Sequence, residues 1–123
     1  MSYELRIGYY ECGQLNYERC FKNGKPIGTW KSWFQNGYSK EDIPHDLNGM
    51  KNGIYRIWHE NGNLFTEMMF VNDILNGINR RWYENGNLQF EGDYENGKQK
   101  GLTKIWDEEG KIISELFYLG NEK

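Results

Sequence analysis

Residues 58–64 read Trp-His-Glu-Asn-Gly-Asn-Leu, and residues 82–88 read Trp-Tyr-Glu-Asn-Gly-Asn-Leu. Asn-Gly between apolar runs is the strongest short-range hairpin signal, because both residues tolerate positive φ. The two copies lie 24 residues apart, and the same frame extends in both directions over glycines Gly13, Gly37, Gly62, Gly86 and Gly110, with steps of 24, 25, 24 and 24 residues. Four residues before each glycine sits an aromatic: Tyr9, Trp33, Trp58, Trp82 and Trp106. Eight residues after come Phe21, Phe70, Tyr94 and Tyr118. A second turn follows at Asn23-Gly24, Asn48-Gly49, Asn72-Asp73 and Asn96-Gly97, and a further glycine at Gly28, Gly53, Gly77 and Gly101.

Such a fixed period marks a repeat architecture. Each unit reads as two strands, one ending at the Trp and one running from Leu64 to Phe70 or from Leu88 to Tyr94. The expectation is an all-β chain: a single-layer, elongated antiparallel meander of about five hairpin units and ten strands. One domain spans residues 1–123. The last unit reverses the usual turn order at Gly120-Asn121, as an end cap would.

Composition agrees. The chain has no Ala, a single Val and 15 Gly, with 5 Trp, 9 Tyr and 6 Phe. That is a poor helix former with enough aromatic surface to order itself. Lys and Arg number 15 against 18 Asp and Glu, a net charge of −3. Bulk charge therefore favours neither nucleic acid nor an anionic membrane. No apolar run approaches the ~20 residues of a membrane span. The N-terminus lacks an apolar signal core, so a cytoplasmic location is expected. Cys12 and Cys20 make neither a disulfide framework nor a zinc set.

Strand register decides which residues share a face. A two-residue Asn-Gly loop would set each Trp opposite Asn16, Lys40, Phe65, Gln89 or Ile113 and split the apolar set. A three-residue loop would bring Trp82 opposite Phe90 and Tyr9 opposite Tyr17, which gathers nearly all large apolar residues on one face. The Trp row then shares a face with Leu15, Leu64, Leu88 and Ile112, with Ile43, Met68 and Leu116, and with Phe21, Phe70, Tyr94 and Tyr118. Lys31, Arg56, Arg80 and Lys104 join that face. Glu18, Asp42, Glu67, Glu91 and Glu115 form an acidic row on the other. An apolar face with no second layer marks an interaction site.

The strings at 58–64 and 82–88, with Tyr-Glu-Asn-Gly-Lys-Gln-Lys-Gly at 94–101, resemble the MORN repeat in its bacterial variant form. The resemblance covers residues 7 to 121. It implies MORN-type hairpins with aromatic side chains stacked along a groove. It also implies an antitoxin or immunity-type protein that neutralises a cognate protein, while eukaryotic relatives of the repeat point to membrane docking, scaffolding or dimerisation. It supplies no catalytic residues. The second unit departs from the pattern, with one inserted residue, Ser39 for the usual Leu and His45 in the Phe/Tyr slot. Pro44 cannot donate to a ladder and predicts a bulge or an unpaired stretch that could carry partner specificity.

No catalytic constellation is present. His59 takes a slot held elsewhere by Tyr10, Phe34, Tyr83 and Asp107 and reads as a variable strand residue. The serines sit in no nucleophile elbow, and the glycine turns lack a phosphate-loop ending. The expected function is a non-enzymatic, cofactor-free and metal-free protein-binding module. It would be an antitoxin or immunity-type inhibitor of a cognate toxin or defence enzyme, such as a nuclease, acting through an aromatic and basic groove or through the acidic face. The expected contact residues are Trp33, Trp58, Trp82, Trp106, Lys31, Arg56, Arg80, Lys104, Pro44 and His45. The alternatives are a scaffold or homodimerising adaptor and a peripheral anionic-lipid-binding module. The acidic balance argues against a nucleic-acid or membrane partner.

Overall fold

The computed structural model describes residues 2–119. The described residues form eleven strands: β1 Tyr3–Tyr9, β2 Leu15–Lys22, β3 Lys25–Trp33, β4 Ser39–Ile43, β5 Gly53–Trp58, β6 Leu64–Val71, β7 Ile74–Leu75, β8 Gly77–Trp82, β9 Leu88–Glu95, β10 Lys98–Trp106 and β11 Ile112–Tyr118. They build one open antiparallel sheet in chain order, with the two-residue β7 pairing only β6. The ten expected strands are its path. Gly120 and Asn121, read as an end cap, lie outside the described residues.

The sheet is a single layer. Among the described residues no hydrophobic side chain is fully buried. The accessible surface is 8016 Å², against about 6,900 Å² for a compact monomer of this mass. Stability therefore comes from neighbouring strands and half-buried side chains rather than from an enclosed core.

Each unit turns twice. The Trp-side turn is a three-residue loop, Glu84-Asn85-Gly86 in the fourth unit, closed by Gly86 N–H to the Tyr83 carbonyl at 2.9 Å and Tyr83 N–H to the Asn87 carbonyl at 2.8 Å. Gly86 has φ +94°, which a side-chain-bearing residue adopts only under strain. The second turn is a two-residue loop at Asn23-Gly24, Asn72-Asp73 and Asn96-Gly97; at Asn96-Gly97, φ is +50° and +84°. Both residues in the left-handed region make the hairpin turn whose twist matches the strands.

The odd-numbered loop was legible in the sequence; the register was not. The loop is centred one residue earlier than expected, so Trp82 faces Leu88. A bulge then inserts one residue in every unit, at Asn16, Lys40, Phe65, Gln89 and Ile113. Beyond it the pairing parity changes: Arg81, not Trp82, faces Phe90, and Gly8, not Tyr9, faces Tyr17. Tyr9, Trp58, Trp82 and Trp106 pair with Leu15, Leu64, Leu88 and Ile112 and so share a face with them, as expected. Ile43, Met68, Leu116, Phe21, Phe70, Tyr94 and Tyr118 move to the other face, and the acidic row joins the basic row.

The result is a charge ladder. Glu18, Lys31, Asp42, Arg56, Glu67, Arg80, Glu91, Lys104 and Glu115 face one another in that order across nine strands, with the sign alternating at every step. Ile7 ends the row on β1. We call this side the ladder face. The opposite, sheltered face carries the most buried strand residues: Thr66, Asn79, Thr103 and Gly92.

Candidate functional site

On the ladder face Lys31, Arg56, Arg80 and Lys104 lie together beside Trp33, Trp58, Trp82 and Trp106 as expected, but not as a basic groove; His45 lies on the other face. Arg56 Nε binds Glu67 at 2.9 Å, and Arg80 Nε binds Glu91 at 2.7 Å. Lys31 and Lys104 each lie between two carboxylates. The four cations alternate with five carboxylates, so the row presents neither a cationic nor an anionic stripe. Trp33, Trp58, Trp82 and Trp106 stand two residues further along the same strands, towards the turns. Flanking the ladder on its other side are the exposed side chains of Ile54, Met69, Ile78 and Leu102.

The sheltered face holds the aromatic groove, with cations the sequence reading did not single out. Arg19 lies over the Tyr17 ring at 4.5 Å and the Trp30 ring at 5.5 Å. Lys51 lies over Phe70 at 5.4 Å, and Arg81 over Phe90 at 5.2 Å. Among the described residues none of these three makes an ion pair. The carboxylates on this side are committed: Glu4 to Arg6, and Glu41 to the Tyr55 hydroxyl, which donates to it. Burial, that hydrogen bond and the Glu41 charge push the Tyr55 hydroxyl pKa well above its usual value.

In the N-terminal half this groove is narrower, with a space of about 110 Å³ left beside Arg19, Trp30 and Glu41. Trp30 stacks between Phe21 and His45, with both ring centroids at 5.0 Å, and its Nε1 donates to the Cys20 carbonyl at 2.9 Å. His45 thus takes the expected aromatic slot, its Nδ1–H donating to the Gly28 carbonyl at 3.0 Å. Pro44 is buried where β4 ends, and His45 holds to the sheet by exchanging backbone hydrogen bonds with Gly28 at 2.9 and 3.1 Å and by a bridge to Lys51. The loop between them is tied by Asp46. Desolvation opposes its ionisation, but N–H donors of Met50 and Asn48 and the Asn52 amide hold its carboxyl below the usual range.

In the C-terminal half the groove opens. The slot of Trp30 and Tyr55, three residues before the unit's Trp, is taken by Asn79 and Thr103. The position facing Asn79 is Gly92. The Phe90 ring folds over Gly92, and beside Asn79 lies an open cavity of about 300 Å³ lined by Ile57, Phe65, Thr66, Met68, Asn79 and Arg81. Thr66 and Asn79 are each only 7% exposed, and the Asn79 Oδ1 has no hydrogen-bond partner among the described residues. Leaving a buried acceptor unpaired costs about 1–3 kcal/mol, so Asn79 is a poor choice for stability alone.

A third repeated device lies along the turns. Tyr10 and Tyr83 hydroxyls donate to the Trp33 and Trp106 carbonyls at 2.7 Å, and His59 Nε2–H donates to the Trp82 carbonyl at 2.9 Å. His59 is therefore a stitch between units rather than a variable strand residue. The Asn36, Asn61 and Asn85 amides make the same forward step to the Glu60, Glu84 and Glu108 carbonyls.

Among the described residues no cluster of three or more His, Cys, Asp or Glu is placed to hold a metal, and no helix is long and apolar enough to cross a membrane. A one-layer meander of stitched 24-residue hairpins defines a β-hairpin repeat protein. The MORN repeat variant family matches residues 51–72, 75–96 and 99–119, more than half of the chain. The chain belongs to that family, and its first two units carry the same hairpins outside the matched residues. No curated protein matches the chain.

Proposed function

We propose that this chain is a protein-binding module and, within that class, an antitoxin or immunity-type inhibitor that neutralises a cognate toxic or defence enzyme without chemistry of its own. One observation carries the reading: the sheet has no second layer, so its large apolar and aromatic side chains stay half-exposed on both faces. Exposed apolar surface of this extent on a single domain marks an interaction site. Membership of a repeat family that builds binding modules supports the same conclusion. The sign-alternating ladder argues against its use as a uniform stripe towards an anionic membrane, a nucleic acid or a basic cleft.

The test is affinity capture from the native host under mild cross-linking, followed by purification of the captured protein and assay of its activity. A stoichiometric partner whose activity falls as one equivalent of the chain is added supports the inhibitor. A partner that keeps full activity in the complex reduces the reading to an adaptor. Recovery of the bait alone removes it.

A further inference from the structure

We infer that the cavity between Thr66, Asn79 and Arg81 receives an acidic segment of a protein partner, one carboxylate set against the Arg81 guanidinium. This rests on the protein-binding reading above and specifies its contact. Three observations converge on the fourth unit. Asn79 takes the slot that Trp30 and Tyr55 hold in the earlier units, and an open depression lies beside it. The Arg81 guanidinium lies over the Phe90 ring at 5.2 Å with no carboxylate partner among the described residues, whereas its sequence neighbour Arg80 is consumed by Glu91. Asn79 is buried with an acceptor that no donor among the described residues reaches.

The chemistry of the lining selects the ligand. A guanidinium held against a ring keeps its outer N–H groups in a planar fork that matches a carboxylate. The Asn79 amide can turn about its terminal torsion and offer either end, which suits a peptide backbone carrying both N–H and C=O. Ile57, Phe65 and Met68 form apolar walls for a neighbouring aliphatic side chain. A single-stranded nucleic acid fits less well. It would carry a phosphate at every nucleotide past Glu41, which faces Ile57 on the adjoining strand, whereas a peptide need set only one carboxylate at Arg81.

The experiment uses the whole chain and labelled peptide pools: short sequences of mixed apolar and small residues with one central Glu, the same pool with Gln, and oligodeoxythymidylate. Anisotropy titration at low salt should show the Glu pool binding about tenfold tighter than the Gln pool. Arg81→Gln should abolish that preference and Arg81→Lys should retain part of it. Arg56→Gln on the ladder face should leave it intact. Asn79→Asp, which places a carboxylate in the cavity, should weaken the Glu pool most; thermal melts confirm that each variant is folded. Equal binding of the two pools, no binding, or tighter Arg81-dependent binding of the oligonucleotide overturns the proposal. A captured partner retained undiminished by folded Arg81→Gln overturns it while leaving the protein-binding reading standing.

Discussion

Arg80 and Arg81 are neighbours in sequence and lie on opposite sides of one sheet. Arg80 is gripped by Glu91 at 2.7 Å within an alternating row, whereas Arg81 rests on a phenyl ring at 5.2 Å beside a cavity. The ladder face satisfies itself: every cation has a carboxylate on the next strand. The sheltered face balances its charges less completely and relies on ring contacts. The same backbone thus offers one side matched to itself and one with chemistry left over for a partner.

The comparison can be broken where the sheltered face is most filled. Trp30→Ala removes the centre of the Phe21–Trp30–His45 stack and its bond to Cys20. A loss of about 3 kcal/mol is expected in urea denaturation; a loss below 1 would mean the aromatic row contributes no more than the ladder. Glu67→Lys sets three cations side by side with Arg56 and Arg80. It should cost about 1–2 kcal/mol, and much of that should return at high salt; salt-independent loss would contradict a partly exposed ladder.

Tyr55→Phe sharpens the contrast by removing the hydroxyl that engages Glu41 across β4 and β5. About 1 kcal/mol should be lost near neutral pH. Because the folded pKa is raised, that contribution is complete below the ordinary tyrosine value near 10 and is lost as pH climbs beyond it. The stability gap between wild type and Tyr55→Phe should narrow in that window, and a gap that stays constant would refute the assignment. The smallest effect is expected at Arg81→Gln, within about 0.5 kcal/mol, since no ion pair is lost. A large destabilisation would make Arg81 structural and remove the reason for treating it as uncommitted.

The period, the ten-strand path and the segments that turn were legible because Asn-Gly turns and strand-ending aromatics are local signals, although the Trp-side loop is centred one residue earlier than expected. The face assignments failed for one reason. A bulge residue such as Gln89 has no signature of its own, yet it inverts every side chain beyond it. Lys31, Arg56, Arg80 and Lys104 were correctly placed beside the Trp row, but their partnership with the acids was invisible without the bulge. His45 and Pro44 were readable because proline and an aromatic slot each carry local meaning. The Asn79–Arg81 cavity was missed because aligning units draws attention to what recurs, and this site is made by what departs.

The ladder has a consequence for the repeat as a unit of inheritance. One unit contributes one positive and one negative rung, so removing or duplicating 24 residues leaves the alternation unbroken. Excision of residues 63–86 would join Gly62 to Asn87, preserve the Glu-Asn-Gly-Asn-Leu turn and bring Arg56 opposite Glu91. His59 would then stand before Trp106 as Tyr83 does now. Electrostatic order is thus indifferent to unit number, and such arrays can lengthen or shorten by recombination without a charge mismatch at the seam. Asn79 and Arg81 would leave with the excised unit, so the scaffold outlives changes that erase the site.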